Sequence, residues 1–289
     1  MSGKAVTCQR IKMRDAEECY KMIEQDIKEK YPNLELCPIG SLGKKDPYEE
    51  TGDIDIAVVI DSKEELKDIL KDSLGTYILE MNMNTTPKIM SIGYFYEYLY
   101  DNMEKPDNLI IQVDFMLVNN LDWAKWRFQS PDLKNGESKY KADPKVFLQS
   151  YMVSAIPIDM PIEYFEDGET IKTRFKYTLN QEGLIIQKLN YLGKRGKPIK
   201  NPTRELYKFV TNNPNEIMHI IFPNWIDKDM PTYFHSVEKL WEALHKYSAY
   251  GEDYIYAVEK RFYDEYINNE RSECKLPPEE FPCMYYQTA

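Results

Sequence analysis

Residues 38–61 read PIGSLGKKDPYEETGDIDIAVVID, and this stretch decides how the first half of the chain folds. A Gly-Ser pair opens it, a polar loop follows, and two aspartates separated by one isoleucine begin an apolar run. Side chains alternate between the faces of a strand, so we expect Asp53 and Asp55 on one face and Ile54 and Ile56 on the other. Adjacent carboxylates repel each other, and a bound cation offsets that repulsion.

A second informative stretch, residues 109–118, reads LIIQVDFMLV and is the strongest strand prediction in the chain. Its alternation places Gln112 and Asp114 opposite an apolar face. An aspartate buried in such a strand without a partner has a heavy desolvation cost. If this strand lies beside that of Asp53 and Asp55, three carboxylates converge and can bind one or two Mg²⁺ or Mn²⁺ ions.

The overall composition indicates a globular protein. With 289 residues, 43% of them apolar, the chain can form one large domain or two of ordinary size. A net charge of −11 argues against a protein that coats nucleic acid non-specifically, although a local basic groove remains compatible with it. The five scattered cysteines suggest neither a disulfide framework nor a zinc site. Without a leader or membrane-span pattern, we expect a soluble cytoplasmic protein with no membrane partner.

Hydrophobic periodicity predicts an α+β protein with two domains. Residues 1–155 combine helices at 16–30, after an N-cap at Ser62, at 121–128 and around 145–154 with strands at 34–39, 53–60, 88–98 and 109–118. Residues 156–289 are expected to be rich in helices after a β-hairpin formed by residues 163–165 and 170–178. The helices predicted there span residues 181–191, 203–210, 216–221, 237–245 and 252–269.

Taken together, the two aspartate-bearing strands and the Gly-Ser pair resemble the polymerase-beta-type nucleotidyltransferase superfamily. The family pattern is an apolar residue, Gly and then Gly or Ser, a short spacer, an Asp-apolar-Asp or Asp-apolar-Glu strand, and a third carboxylate on a later strand. Here eleven residues separate Ile39-Gly40-Ser41 from Asp53-Ile54-Asp55-Ile56, and Asp114 is the third carboxylate. The resemblance covers residues 16–128 and implies a mixed β-sheet with helices on one face.

The resemblance also implies a reaction and a set of site residues. It implies transfer of a nucleoside monophosphate from an NTP to an acceptor hydroxyl, with release of pyrophosphate. Asp53 and Asp55 would bind both of two Mg²⁺ or Mn²⁺ ions, while Asp114 would bind the catalytic ion and help orient or deprotonate the acceptor. Gly40 and Ser41 would hold the terminal phosphates, because glycine lets backbone amides approach the phosphate oxygens.

Four further residues are secondary candidates for nucleotide binding. Lys44 and Lys45 follow the Gly-Ser pair closely enough to reach a triphosphate. Tyr140 and Lys141 follow the third carboxylate, where related enzymes often place an aromatic ring on the base and a lysine on the phosphates. An ordinary solvated loop is the alternative interpretation for each pair.

The acceptor could be recognised by a basic strip in the second domain. Residues 188–208 contain seven lysines and arginines against one glutamate, a local charge of +6, with Lys194, Arg195 and Lys197 near its centre. Tyr191 and Tyr207 lie within it, and a basic strip with aromatic residues can bind a single-stranded RNA or a tRNA end. The alternative is a solvated loop between helices.

Three classes of function are compatible with these residues. The first is transfer to a polynucleotide 3′ end, such as that of a tRNA or another RNA. The second keeps the chemistry but uses a small molecule, a protein hydroxyl or a second nucleotide, which would give a signalling oligonucleotide. The third is an inactive nucleotide-binding regulatory module.

Overall fold

A computed structural model describes residues 5–96, 109–225, 234–267, 276, 277 and 279–282. The chain divides into two compact units, Met1–Ala142 and Asp143–Ala289. The division falls at the start of the helix Ala142–Ala155, which the sequence prediction assigned to the first domain. This helix packs within the second unit, where Ser154 Oγ accepts a hydrogen bond of 2.7 Å from Arg261 and the Phe147 ring lies 5.4 Å from that of Tyr266.

The first unit is a mixed sheet with helices, and its elements follow in chain order. They are β1 (Ile11–Lys12), α1 (Met13–Lys30), β2 (Leu36–Pro38), β3 (Glu50–Thr51), β4 (Asp53–Val59), α2 (Lys63–Leu74), β5 (Ile78–Thr86), β6 (Ile89–Tyr96), β7 (Leu109–Val118) and α3 (Leu121–Phe128). The main sheet has five strands in the order β2-β4-β7-β6-β5. Only β4 and β7 pair in parallel among these strands, while their other neighbours are antiparallel.

Several predicted elements of this unit are confirmed. The bounds predicted for residues 109–118 and 121–128 are those of β7 and α3. Helix α2 begins after Ser62, whose hydroxyl accepts a hydrogen bond from the Glu65 N–H as a helix cap does. The strand predicted for residues 88–98 is β6 up to Tyr96, and residues 97 and 98 lie outside the described residues.

The two faces of the main sheet have different roles. Ile54, Ile56 and Val58 of β4 are buried with apolar side chains of α1 and α2 in the principal core. The opposite face carries the aspartates of β4, and beyond them Ala57 packs against Ala124 of α3 in a smaller cluster. The α+β class is therefore observed, but helices contact both faces rather than one, because the small Ala57 leaves room for α3.

The second unit contains a sheet that the sequence prediction did not anticipate. Its elements are α4 (Ala142–Ala155), β8 (Glu163–Tyr164), β9 (Ile171–Leu179), β10 (Leu184–Leu192), β11 (Pro198–Thr211), α5 (Pro214–Ile221), α6 (Val237–Tyr247) and α7 (Glu252–Phe262). Strands β11-β10-β9-β8 form an antiparallel four-stranded sheet. The predicted hairpin is confirmed, since Glu163 of β8 pairs with Thr173 of β9.

Two helix predictions in the second unit are wrong. Residues 181–191 and 203–210 were expected to be helical. Most of the first segment is strand β10 instead, and the second is part of strand β11. The β-branched pair Ile185-Ile186 and the aromatic Tyr207 and Phe209 favour a pleated surface over a helix. Helices α5, α6 and α7 confirm the later predictions, although residues 268 and 269 of the last one lie outside the described residues.

His245 is held by two hydrogen-bond partners in the second unit. His245 Nε2 lies 2.6 Å from Glu259 Oε1, and its Nδ1 lies 2.8 Å from the Trp241 carbonyl oxygen, so two acceptors face the ring. Burial opposes the imidazolium, but hydrogen bonds to Glu259 and Trp241 outweigh it and raise the pKa of His245. Cys8, Cys19 and Cys37 form no disulfide among the described residues, while Cys274 and Cys283 lie outside them.

None of the helices in the described parts of the chain is long and apolar enough to cross a membrane.

Candidate metal centre

Three carboxylates meet on one face of the main sheet. In the parallel register of β4 and β7, Asp55 lies opposite Asp114, and Asp53 lies opposite Gln112. Ligand oxygens of Asp53, Asp55 and Asp114 all lie within 4.8 Å of one another, and each side chain is partly exposed. The strand pairing therefore brings together the three aspartates that were predicted to bind metal.

The electrostatics of this cluster favour a cation. Burial raises the pKa of Asp53, and the neighbouring charge of Asp114 raises it further. Lys141 and Lys45 act in the opposite direction, since their ammonium groups stabilise the ionised carboxylate. Two lysines thus offset part of the repulsion between the carboxylates, and a divalent ion would offset the rest.

Gly40 is required by the position of the Asp55 carboxylate. Its φ is +60°, and a Cβ atom built there would lie 2.1 Å from Asp55 Oδ2. The Gly40 N–H donates to the Phe128 carbonyl at 3.2 Å, and the Gly40 carbonyl accepts from the Ser130 N–H at 2.7 Å. The Gly40 N–H is therefore used within the protein, and phosphate binding by Gly40 and Ser41 stays a prediction. The glycine here makes room for Asp55 and joins the loop to the end of α3.

Ser41 and Lys44 belong to the turn that follows Gly40. The Lys44 N–H donates to the Ser41 carbonyl at 3.1 Å, and the Lys44 carbonyl accepts from the Lys134 N–H at 3.0 Å. Hydrogen bonds from Asn135 are the main cause of a lowered pKa at Asp132, and the charge of Lys44 contributes. The Lys44 ammonium group therefore lies near Asp132.

Lys45 and Lys141 form a pair of cations beside Asp53. Lys45 is only 5% exposed, and its Nζ donates to the Glu50 carbonyl at 3.2 Å. Burial lowers the pKa of Lys45, and the nearby charge of Lys141 lowers it further. Two ammonium groups held together in this way attract an anion such as phosphate. Tyr140 precedes Lys141, and its N–H donates to Ser138 Oγ at 2.9 Å.

Gln112 is a site residue that the sequence interpretation missed. Its Nε2 donates to Asp114 Oδ1 at 3.1 Å and to Asp114 Oδ2 at 3.0 Å, while its Oε1 accepts from the Ala5 N–H at 3.1 Å. The side chain is 3% exposed, so these contacts hold it in one orientation. The sequence could have indicated this role, because Gln112 lies two residues before Asp114 and therefore on the same face of the strand.

Ser91 supplies a buried hydroxyl next to the carboxylates. It lies directly opposite Asp114 in the antiparallel pairing of β6 with β7, so both side chains point to the same face. Ser91 is 1% exposed, and its Oγ has no hydrogen-bond partner among the described residues. A hydrated divalent ion would satisfy this hydroxyl through a bound water. An all-oxygen set of three carboxylates and this hydroxyl fits Mg²⁺ or Mn²⁺.

Replacement of Gln112 by leucine should weaken Mn²⁺ binding by about 10–100-fold, because partners that orient a metal ligand contribute that much to affinity. The Asp114 carboxylate would lose both hydrogen bonds from Nε2 and could rotate away from its neighbours. Titration calorimetry measures the effect, and Gln9→Leu at an exposed position is the matched control. Wild-type Mn²⁺ affinity in a folded Gln112→Leu variant would exclude the orienting role.

The predicted acceptor residues lie in the second unit. Lys194, Arg195 and Lys197 are exposed in the turn that joins β10 to β11. Arg195 has a φ of +70°, an uncommon left-handed conformation for a residue with a Cβ atom, and Gly196 after it has the same φ. The structure thus presents these three cations at the tip of a β-hairpin instead of in the predicted loop between helices.

No protein-family model matches this chain, and no curated protein sequence matches it either. The functional interpretation therefore depends on the chain's own residues and their geometry.

Proposed function

We propose that the protein is a metal-dependent nucleotidyltransferase of the polymerase-beta type, which transfers a nucleoside monophosphate from an NTP to an acceptor hydroxyl. The observation that supports this most strongly is the cluster of Asp53, Asp55 and Asp114, whose oxygens lie within 4.8 Å of one another on paired parallel strands. The Gly40 turn packed against Asp55 adds support, since it matches the order of the family motif.

The proposed chemistry assigns a task to each part of the site. Bound Mg²⁺ or Mn²⁺ would stabilise the charge of the transferring phosphoryl group and of the attacking oxygen. Asp53, Asp55 and Asp114 would hold these ions, and Gln112 would keep the Asp114 carboxylate in place. The acceptor oxygen forms a bond to the α-phosphorus of the NTP, while the bond from that phosphorus to pyrophosphate breaks.

Two further groups would take part in this transfer. The acceptor hydroxyl loses its proton to the Asp114 carboxylate or to solvent as its oxygen attacks. Lys45 and Lys141, which lie together beside Asp53, would neutralise charge on the triphosphate and on the departing pyrophosphate. A site with two cations beside three carboxylates is suited to an anionic substrate that enters with its own divalent ions.

We propose the 3′ end of an RNA as the acceptor. Residues 172–208 of the second unit carry ten lysines and arginines against two glutamates, in a chain whose net charge is −11. Most of these cations lie on β9, β10, β11 and the turn between the last two strands. Segregated positive charge of this kind favours a phosphate-rich partner.

The proposed function is tested by incubating the purified protein with Mg²⁺ or Mn²⁺ and each NTP in turn, labelled at the α- or γ-phosphate. Separate reactions contain single-stranded RNA, tRNA, no acceptor, or small molecules from a cell extract. We expect α-label on RNA and γ-label in pyrophosphate. Product without an acceptor would instead indicate synthesis of a nucleotide signal, and no transfer of label in any reaction would contradict nucleotidyl transfer.

A further inference from the structure

Three cations of the second-unit sheet share one face. Arg174 of β9 lies opposite Leu189 of β10, which in turn lies opposite Arg204 of β11. Residues directly opposite in antiparallel strands project to the same face, so the two guanidinium groups flank Leu189. The Cα atoms of Arg174 and Arg204 lie about 10 Å apart, the width of two strand spacings. Lys176 follows Arg174 by two residues and therefore lies on this face as well.

A fourth cation reaches the same place from helix α7. Arg261 donates to Ser154 Oγ at 2.7 Å, and its guanidinium carbon lies 4.7 Å from the centroid of the Tyr151 ring, so its position is defined by α4. Burial lowers the pKa of Lys176, and the charges of Arg204, Arg261 and Arg174 lower it further. Lys176 is therefore close to each of the other three cations, and the four together are called the cationic face.

None of the four cations of the cationic face forms an ion pair with an acidic group among the described residues. Lys172 lies two residues before Arg174 on the same face of β9, and its ammonium group pairs with Glu163 at 3.8 Å. The four positive charges repel one another, and this repulsion is stronger near a protein surface than in bulk water because the effective dielectric constant is lower there. A partner with several negative charges would relieve it.

Aromatic side chains lie among these cations. The Tyr191 ring lies 5.7 Å from the Arg174 guanidinium carbon, and Phe209 is opposite Ile185 on the same face of the sheet. Phe209 is 44% exposed and Leu206, opposite Gln187, is 62% exposed, which is unusual for residues of this size. Surfaces that bind single-stranded nucleic acid combine cations, which contact the phosphates, with aromatic rings, which stack on the bases.

We propose that the cationic face binds a single-stranded polynucleotide, with phosphates at Arg174, Lys176, Arg204 and Arg261 and bases against Tyr191 and Phe209. The role of the bound strand as nucleotidyl acceptor rests on the proposed function, whereas the binding itself does not. This surface is distinct from the hairpin tip of Lys194, Arg195 and Lys197, because its cations come from two strands and a helix.

Binding is tested by fluorescence anisotropy with labelled single-stranded RNA or DNA of about 16 nucleotides, without NTP or divalent ions. The double variant Arg174→Gln/Arg204→Gln should bind at least about tenfold more weakly, and the slope of log affinity against log salt should fall by about 1.4, or 0.7 for each lost phosphate contact. Comparing the affinities for RNA and for DNA shows whether the protein recognises the sugar. Unlabelled duplex RNA should compete poorly with the labelled single strand.

The matched control is Lys188→Gln/Lys208→Gln, which removes the same charge from the opposite face of the same sheet. Its affinity and salt slope should stay near those of the wild type. Equal losses in both double variants, no loss in either, or equal competition by duplex RNA would overturn the proposal. Thermal unfolding of each variant shows that the sheet is intact.

A second variant tests the aromatic contribution. Phe209→Ala should weaken binding of the single strand by about tenfold, because stacking contributes that much for each base, while the salt slope stays unchanged. Wild-type affinity in this variant would exclude stacking on Phe209. If the wild-type protein binds the single strand but transfers no nucleotide, only the proposed function is contradicted. If the Arg174→Gln/Arg204→Gln variant extends RNA and binds the strand as the wild type does, only this inference is contradicted.

Discussion

Asp55→Asn and Asp114→Asn should each lower nucleotidyl transfer by about 10³-fold or more while leaving the protein folded. Each change removes one carboxylate charge from a cluster whose oxygens lie within 4.8 Å of one another. The loss of repulsion compensates for the lost contacts, so the free energy of unfolding without metal should stay the same or rise slightly. Initial rates with saturating NTP measure the first effect and urea unfolding measures the second.

The control for these variants is Asp68→Asn, which alters an exposed aspartate of α2. Added Mn²⁺ should raise the melting temperature of the wild type and of Asp68→Asn, because an ion that binds the folded state stabilises it, but should have little effect on the two site variants. Full turnover in Asp55→Asn or Asp114→Asn would remove the basis of the metal assignment.

Gly40→Ala should be nearly as damaging as Asp55→Asn, although it removes no charged group. The new methyl group would lie 2.1 Å from Asp55 Oδ2, and the φ of +60° disfavours any residue with a Cβ atom. We expect a loss of about 2–5 kcal/mol in the free energy of unfolding and displacement of the Asp55 carboxylate from the cluster. Urea unfolding and Mn²⁺ titration measure the two effects.

Gly136→Ala separates the two causes of this loss. Gly136 has a φ of +76°, but no atom lies within 4 Å of the position that a Cβ atom would take. The variant should therefore lose only about 1–2 kcal/mol for its backbone conformation and should keep its affinity for Mn²⁺. Equal behaviour of the two alanine variants would show that contact with Asp55 is not the reason for glycine at position 40.

The candidate metal centre could be predicted from sequence because its parts have strong local signals. Asp114 lies within an apolar strand, where a carboxylate needs a partner, and Asp53-Ile54-Asp55 alternates at the start of another strand. These signals fix which face each carboxylate occupies. Alternation also placed Gln112 on the face of Asp114, but it did not reveal their contact, which depends on the rotamer of a neutral side chain whose Oε1 accepts a hydrogen bond from the Ala5 N–H.

The second unit was harder to predict because its strands contain residues that are also common in helices. Residues 203–210 include Glu205, Leu206 and Lys208, which suit an exposed helix, and only their pairing with β10 makes the extended form stable. The register shifts within that pairing also break the strict alternation that identifies a strand. Tertiary pairing therefore decided the structure where local preference was ambiguous.

The parallel pairing of β4 with β7 has a consequence for the order of folding. Parallel neighbours require a long crossover, and here it contains α2, β5 and β6. Asp55 and Asp114 come together only when β7 has paired with β4. Closing this long loop has an entropic cost because the two residues are far apart in sequence. During synthesis, β7 must leave the ribosome before Asp53, Asp55 and Asp114 can form their cluster, so a nascent chain that ends before β7 has only two of the three carboxylates.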